Sequence, residues 1–293
     1  MRVRLFTTML LLGAALPGAA APADGSDGIV PEGARVVVLA CLPEVPRGAE
    51  ANRTVRLPPS GVPMALYRGR LFVLNERPDA APADWAPPPD PEPVRDFCWL
   101  DEHTLALLRT SALDFVRDGK VVRGVALPSR GMRLARADRE HCYVFGGETD
   151  PYGREVLLVG ADGLVRNLFR APAAVTAVAG DGANTFVAVG PKVYFMAPKQ
   201  EPRAIFQERG PIFELAHVPS IGVFYRTIGG VGCIENPGSG AVFLQGGIES
   251  IDGRSGRLVL LTTDREVLLI APLAGFPRVV QDVRQLAAKK GRP

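Results

Sequence analysis

The sequence predicts an all-β fold made of a repeated four-stranded unit, and three observations carry this prediction. Residues 132–170 contain four short apolar runs, each of strand length, separated by polar turns. The last of these turns is Asp162-Gly163, a strong hairpin signal because both central residues of a tight primed turn need positive φ. No amphipathic helix of ordinary length interrupts the pattern before residue 283. Together these features indicate a β-meander without crossover helices.

The unit recurs along the chain. Turns between third and fourth strands fall near positions 119, 163, 200, 239 and 275, which are 36 to 44 residues apart. Predicted first strands begin in step near positions 94, 132, 175, 212 and 248. A four-stranded meander repeated at this period is the blade of a β-propeller. Five blades therefore lie between residues 94 and 281.

Residues 35–74 predict a sixth blade, with Arg35–Cys41 as its first strand and a longer first turn. The ring of six then closes without a strand shared between its two ends. Two alternatives remain open: five blades plus an irregular N-terminal sheet, and a β-sandwich. The single propeller domain is expected to span residues 35–282.

The N-terminus has the composition of a cleavable secretory signal over residues 1–20. Arg2 and Arg4 precede a short apolar run that ends in small residues. The run is too short to cross a bilayer, which favours export to the periplasm or the outside and predicts no membrane span. Residues 21–34 are expected to form an N-terminal extension.

The net charge of +3 is located at the chain ends. Taking away the two arginines of the signal and the four basic residues of a C-terminal tail, 283–293, leaves a body with a net charge of −3. A nucleic-acid-binding protein would carry a basic face on its body, so the charge argues against that function. The basic tail is expected to be a solvated end, and the alternative is a contact with anionic lipid or with a partner.

Residues 78–93 contain seven prolines and are expected to form a stiff surface connection that cannot be a ladder strand. Trp85 is an isolated aromatic residue in this segment. It is expected to dock either into the ring or onto a protein partner in the cell envelope.

Four cysteines are compatible with disulfides in an exported chain or with buried apolar positions: Cys41, Cys98, Cys142 and Cys233. If one disulfide forms, Cys41 is the expected participant with an unknown partner, because a crosslink near the end of the ring closes a long loop.

No pattern of a catalytic nucleophile, a zinc protease, a phosphate-binding loop or a dinucleotide site is present. The three histidines do not predict a metal site: the repeat places His103 and His141 at one end of the ring, but His217 has no matched neighbour, and exposed turn histidines are common. The polar residues expected at a channel-mouth binding site lie on the loops that join second to third strands: Arg109, Glu148, Asp150, Lys192, Arg226 and Asp264.

The segment from Cys142 to Gly147, Cys-Tyr-Val-Phe-Gly-Gly, resembles the second strand and diglycine of a kelch repeat. The resemblance covers one blade, and the tryptophan that each kelch unit carries is absent. The chain thus resembles a degenerate propeller of no specific family. The predicted function is a protein- or ligand-binding scaffold without a cofactor. The alternative is a calcium-dependent hydrolase or lactonase of the six-bladed type, with Glu148, Asp150 or Asp264 among its Ca²⁺ ligands.

Overall fold

The computed structural model describes residues 35–44, 52–59, 61–75, 81–198, 200–219, 221–236, 239–273 and 281–282. The predicted signal, the N-terminal extension and the basic tail lie outside these residues. Within the described residues, twenty-five strands form six sheets, which are antiparallel except for one short parallel pairing, and there is one short 3₁₀ helix. The protein is a six-bladed β-propeller, as the repeat predicted.

Blades 1 to 3 each consist of four consecutive strands. Blade 1 contains β2 Arg53–Arg56, β3 Met64–Tyr67, β4 Arg70–Val73 and β5 Ala83–Trp85. Blade 2 contains β6 Asp96–Trp99, β7 Thr104–Leu108, β8 Ala112–Arg117 and β9 Lys120–Ala126. Blade 3 contains β10 Arg133–Arg136, β11 His141–Phe145, β12 Glu155–Gly160 and β13 Val165–Arg170. The 3₁₀ helix, Tyr152–Arg154, precedes β12.

Blades 4 and 5 follow the same order, and blade 5 gains a short parallel strand from the C-terminal region. Their strands are β14 Val175–Gly180, β15 Thr185–Val189, β16 Lys192–Met196, β17 Arg203–Gln207, β18 Glu214–Val218, β19 Gly222–Thr227, β20 Gly230–Asn236, β21 Ser239–Gln245 and β25 Gln281–Asp282.

Blade 6 joins the two ends of the ring. Its strands are β22 Ile248–Arg254, β23 Arg257–Thr262, β24 Glu266–Ala271 and, at the outer edge, β1 Arg35–Cys41. β1 pairs antiparallel with β24, from Arg35 opposite Ala271 to Cys41 opposite Glu266. The prediction that Arg35–Cys41 opens blade 1, in a ring without a shared strand, was therefore wrong. This ladder, continued by the Leu42 N–H that donates to the Arg265 carbonyl oxygen at 2.8 Å, holds the strand in the last blade. The side chains of Leu39 and Leu42 are buried in the apolar cluster between blades 6 and 1.

The Pro-rich segment supplies the strand that blade 1 would otherwise lack. β5 pairs with β4, and Trp85 stands opposite Leu71. The prediction that residues 78–93 hold no ladder strand was wrong, because Ala83–Trp85 is a proline-free stretch at the sheet edge, where only one side must hydrogen-bond. Trp85 packs against the apolar cluster shared by blades 1 and 2, which is the first of the two dockings expected for it.

The core lies between neighbouring blades, in clusters that each draw on two adjacent sheets. Tight hairpins fix the register within the blades. Asp118 and Gly119, with φ of 50° and 75°, connect β8 to β9 in the conformation that Asp-Gly favours. Asp162-Gly163 also connects two paired strands, β12 and β13, but only Gly163 has a positive φ, 91°. The prediction of a tight primed turn was wrong there, because the connection consists of residues 161–164. The inner strands of the six blades, β2, β6, β10, β14, β18 and β22, surround the central channel.

The four cysteines are free thiols, three of them buried and Cys41 exposed. The structure therefore does not support the expected disulfide of Cys41. Cys98 and Cys142 pack in one cluster between blades 2 and 3.

The described residues contain no helix that is long and apolar enough to cross a membrane.

Candidate functional site

A cavity of about 390 Å³ opens in the central channel. This volume lies within the range of small-molecule sites, about 300–1,000 Å³. Every blade contributes at least one lining residue from its inner strand: Arg56, Trp99, Arg136, Ala179, His217 and Arg254. Four of these six are the last residues of their strands, so the carboxyl ends of the inner strands converge on the cavity.

Inner strands of neighbouring blades are not paired in one sheet, so no backbone ladder joins them. Hydrogen bonds from buried side chains connect them instead. Asp96 of β6 accepts hydrogen bonds from the Leu134 backbone N–H at 3.0 Å and from Arg56 Nη2 at 3.2 Å. Its side chain is only 7% exposed. One carboxylate thus links blades 1, 2 and 3.

Glu214 of β18 has the same role on the other side of the channel. It accepts from the Ile251 backbone N–H at 2.8 Å, from Ser250 Oγ at 3.1 Å and from Arg226 Nε at 3.1 Å. Arg133 Nη2 lies 3.5 Å from Oε1, the oxygen that also accepts from Ser250. These contacts link blades 3, 5 and 6 and leave this carboxylate fully engaged.

Asp252 of β22 accepts from the Leu57 backbone N–H at 2.7 Å and links blade 6 to blade 1. Burial raises the pKa of Asp252, although Arg56 opposes the rise. Burial also lowers the pKa of Arg56, but the carboxylates of Asp96, Asp252 and Glu214 outweigh it and leave that pKa above its usual value. These carboxylates therefore stabilise the ring, because guanidinium groups and backbone N–H groups already donate to their oxygens.

The end of the cavity near Arg136 and Arg254 has a different character. Arg136 Nε and Arg254 Nη2 donate to the same carbonyl oxygen, that of Leu100, at 3.1 and 3.5 Å. The two guanidinium groups therefore lie side by side. Burial and then the charge of Arg136 lower the pKa of Arg254 to about 10, and burial lowers the pKa of Arg136 as well. Within the part of the chain that the structure describes, neither arginine forms an ion pair with a carboxylate.

Three buried polar atoms without a hydrogen-bond partner belong to residues that line this cavity: Trp99 Nε1, His217 Nδ1 and Arg254 Nη1. They are the only buried side-chain nitrogen or oxygen atoms in the described ranges that lack one. His217 Nδ1 is 3.8 Å from Asp181 Oδ2, beyond hydrogen-bond length. Burial lowers the pKa of His217, with Asp181 opposing, so the ring is neutral near pH 7.

The residues predicted from the loops occupy other places. Arg109 is buried and donates to Asp114 Oδ2 at 2.6 Å and to the carbonyl oxygens of Glu92 and Pro88 at 2.6 and 3.1 Å. It anchors the Pro-rich segment to blade 2. Arg226 reaches the channel indirectly, through Glu214.

The other four are exposed at the ends of second-to-third-strand connections, as the repeat predicted: Glu148, Asp150, Lys192 and Asp264. Asp150 forms an ion pair with Arg154 at 2.6 Å. None of the six predicted residues lines the central cavity, and their role in binding stays a prediction. Across the described ranges, no three His, Cys, Asp or Glu side chains are grouped so that they could hold a metal ion.

The sequence carried a signal for the channel residues. Asp96, Arg133 and Glu214 each stand at the first position of an inner strand, a charged residue at the same place in three repeats. A charge at an otherwise apolar, central position of a repeat marks the channel. We expected the binding residues on the loops and did not identify this position in the inner strands from the sequence.

The fold and the channel define a six-bladed propeller with a polar central cavity, and the comparisons agree with this class. No protein-family model matches the chain, and no curated protein matches it. Among solved structures, a protein assigned as a gluconolactonase is 16% identical with a TM-score of 0.59, over 82% of this chain and 93% of that one.

Two further solved structures have the same fold. A catalytically inactive virginiamycin B lyase from Staphylococcus aureus, solved with quinupristin, is 10% identical with a TM-score of 0.55, over 78% of this chain and 82% of that one. The Pan2 WD40 domain of Neurospora crassa is 13% identical with a TM-score of 0.52, over 80% and 94% of the two chains. At these identities the likeness extends to the fold alone.

Proposed function

We propose that this protein is an exported propeller that binds a small ligand in its central cavity. The observation that carries the proposal is the position of the three unpartnered polar atoms. A buried hydrogen-bonding group without a partner costs about 1–3 kcal/mol, and in the described structure all such atoms belong to residues of one cavity. A ligand with acceptor atoms would satisfy them together.

The hydrogen bonds of the channel carboxylates favour a binding function over a catalytic one. Asp96, Glu214 and Asp252 accept hydrogen bonds from neighbouring blades. Asp181, which also lines the cavity, accepts from the Asn184 N–H at 2.7 Å, so all four carboxylates are engaged within the protein. The calcium-dependent lactonase alternative stays a prediction. A Ca²⁺-dependent rise in Tm that is lost in Asp150→Ala or Asp264→Ala would support it and would contradict the present proposal.

The test is native mass spectrometry of the protein isolated gently from the envelope of its host. We expect an additional mass that disappears on denaturation, and a chain that begins near residue 21. Ala135→Leu fills the cavity from its lining and should remove the additional mass. Ala126→Leu makes the same change on an exposed outer strand and should retain it.

A protein partner is the second candidate, and one surface favours it. Apolar side chains are exposed on the outer edges of blades 2 and 3: Val121, Val122, Leu164, Val165 and Leu168. Arg123 of β9 joins the two edges by donating to the Asp162 carbonyl oxygen at 2.7 Å. Exposed apolar side chains grouped on the edge strands of neighbouring blades are typical of a docking site.

Crosslinking in the native envelope tests this second candidate. The expected result is a defined crosslinked partner that V122E/L164E loses. Ile228→Glu changes an exposed apolar residue on another blade, 88% exposed, and should retain the partner. Equal loss in both variants would contradict the assignment of this surface.

A further inference from the structure

The paired arginines at the carboxyl ends of the inner strands determine what kind of ligand the cavity accepts. Arg136 and Arg254 come from blades 3 and 6, on separate sides of the ring, and meet at the Leu100 carbonyl oxygen. Placing two guanidinium groups beside each other in a half-buried position is unfavourable unless a negative charge compensates them.

The protein supplies only partial compensation. Asp252 attracts both arginines, but its carboxylate forms an ion pair with neither and accepts the Leu57 N–H instead. Arg139 adds a further positive charge near both. Elsewhere around the channel the cations are matched, Arg56 by Asp96 and Arg226 by Glu214. The incompletely matched positive charge therefore lies at the end of the cavity formed by Arg136 and Arg254, whereas the Asp181 carboxylate lines the cavity near His217.

The donors fit one chemical class. Trp99 Nε1 and Arg254 Nη1 can only donate, and neutral His217 can present a donor at Nδ1. Guanidinium groups bind carboxylate and phosphate oxygens with two parallel hydrogen bonds. A set of donors with excess positive charge accepts an anionic oxygen group and disfavours a cation.

We propose that the cavity recognises its ligand by an anionic oxygen group, a carboxylate or a phosphate, bound between Arg136, Arg254 and the indole N–H of Trp99. This inference rests on the proposed function and specifies its ligand class. Neutral His217 completes the donor set from blade 5.

The two tryptophans of the chain allow a direct test. Trp85→Phe removes the tryptophan of β5 and leaves Trp99 as the sole fluorescent reporter. This variant is titrated with inorganic phosphate, with succinate and with glucose as the neutral control, at constant ionic strength set with sodium chloride. We expect a saturable change in Trp99 emission with phosphate or succinate, and the more effective anion identifies the group. No saturable change with either anion overturns the inference.

Charge variants assign the effect to the arginines. R136Q/R254Q, in the W85F background, should weaken anion binding about tenfold or more, since hydrogen bonds to charged groups are lost. R166Q/R170Q makes the same change of charge on the exposed strand β13 and should leave binding unchanged. Equal weakening in both variants would indicate general electrostatics and contradict a specific site.

Stability without ligand separates a binding role from a structural one. Removing two uncompensated guanidinium groups should raise the Tm of R136Q/R254Q by about 2–4 °C. A fall in Tm, together with unchanged anion binding by the Arg254→Gln single variant, would show that the arginines only support the ring.

The outcomes also separate this inference from the proposed function. If the cavity-filling Ala135→Leu variant displaces a native ligand that proves neutral, the cavity binds as proposed and the anionic class is wrong. If no native ligand is found and no anion is bound, both proposals fail.

Discussion

Asp96→Ala tests whether the channel charges hold the ring together. The substitution removes the carboxylate that accepts from Arg56 Nη2 and from the Leu134 N–H. Arg56 is buried, with 9% of its surface exposed, and it would retain only carbonyl partners, among them Phe97 O at 3.1 Å. Losing one member of a buried ion pair costs about 3–5 kcal/mol. The surviving carbonyl contacts and the nearby Asp252 place the expected loss at the lower end, about 3 kcal/mol.

The assay is equilibrium unfolding in urea, with the transition followed by tryptophan fluorescence and by circular dichroism. Asp264→Ala is the matched control, because Asp264 is exposed, and it should change the free energy of unfolding by less than about 0.5 kcal/mol. The double variant R56M/D96A removes both members of the ion pair, so the loss should be smaller than the sum of the two single losses. A loss below about 1 kcal/mol for Asp96→Ala would refute the reasoning.

Three further predictions concern the ring and its titratable groups. The pKa of His217 is lowered in the folded protein, so as pH falls below about 6.5 the unfolded chain takes up a proton before the folded protein does. Tm should therefore fall between about pH 7 and 5, and it should fall less in the His217→Gln variant. An identical pH profile in that variant would contradict this prediction. Under native conditions a maleimide should modify Cys41 alone, because the other three thiols are buried. For Cys142, burial and then the neighbouring Cys98 also raise the pKa of the thiol. Mass spectrometry that finds two or more modified thiols would be inconsistent with the fold. Leu39→Ala, on the strand that closes blade 6, should lower the free energy of unfolding by about 2–4 kcal/mol, because the side chain is buried. If the free energy of unfolding measured in urea falls by less than about 1 kcal/mol, β1 is dispensable.

Local pattern predicted the parts of the fold that local chemistry determines. Asp118-Gly119 and the apolar runs around it specified a hairpin, and their repetition specified the propeller. The closing strand, Arg35–Cys41, was placed in the wrong blade because its partner, β24, lies more than two hundred residues away. Nothing in the apolar run itself distinguishes an inner strand of blade 1 from an outer strand of blade 6. The choice is made by the backbone hydrogen bonds that the strand forms with that distant partner.

The site was harder to predict than the fold for a related reason. Its residues are one per blade, so no sequence window contains two of them from different blades, and only the superposition of repeats brings them together. Arg136 and Arg254 are separated by more than a hundred residues and meet at one carbonyl oxygen.

The distribution of charge along the channel separates stability from function. At Asp96 and Glu214, cations and carboxylates satisfy one another and connect the blades, so the ring would persist without any ligand. At Arg136 and Arg254 the same kind of side chain is left uncompensated, in a position where an anion could reach it. A protein under selection for stability alone would lose such a pair, since its removal relieves repulsion. Its presence, with the further unpartnered donors of Trp99 and His217 in the same cavity, is what the proposed anionic ligand would explain.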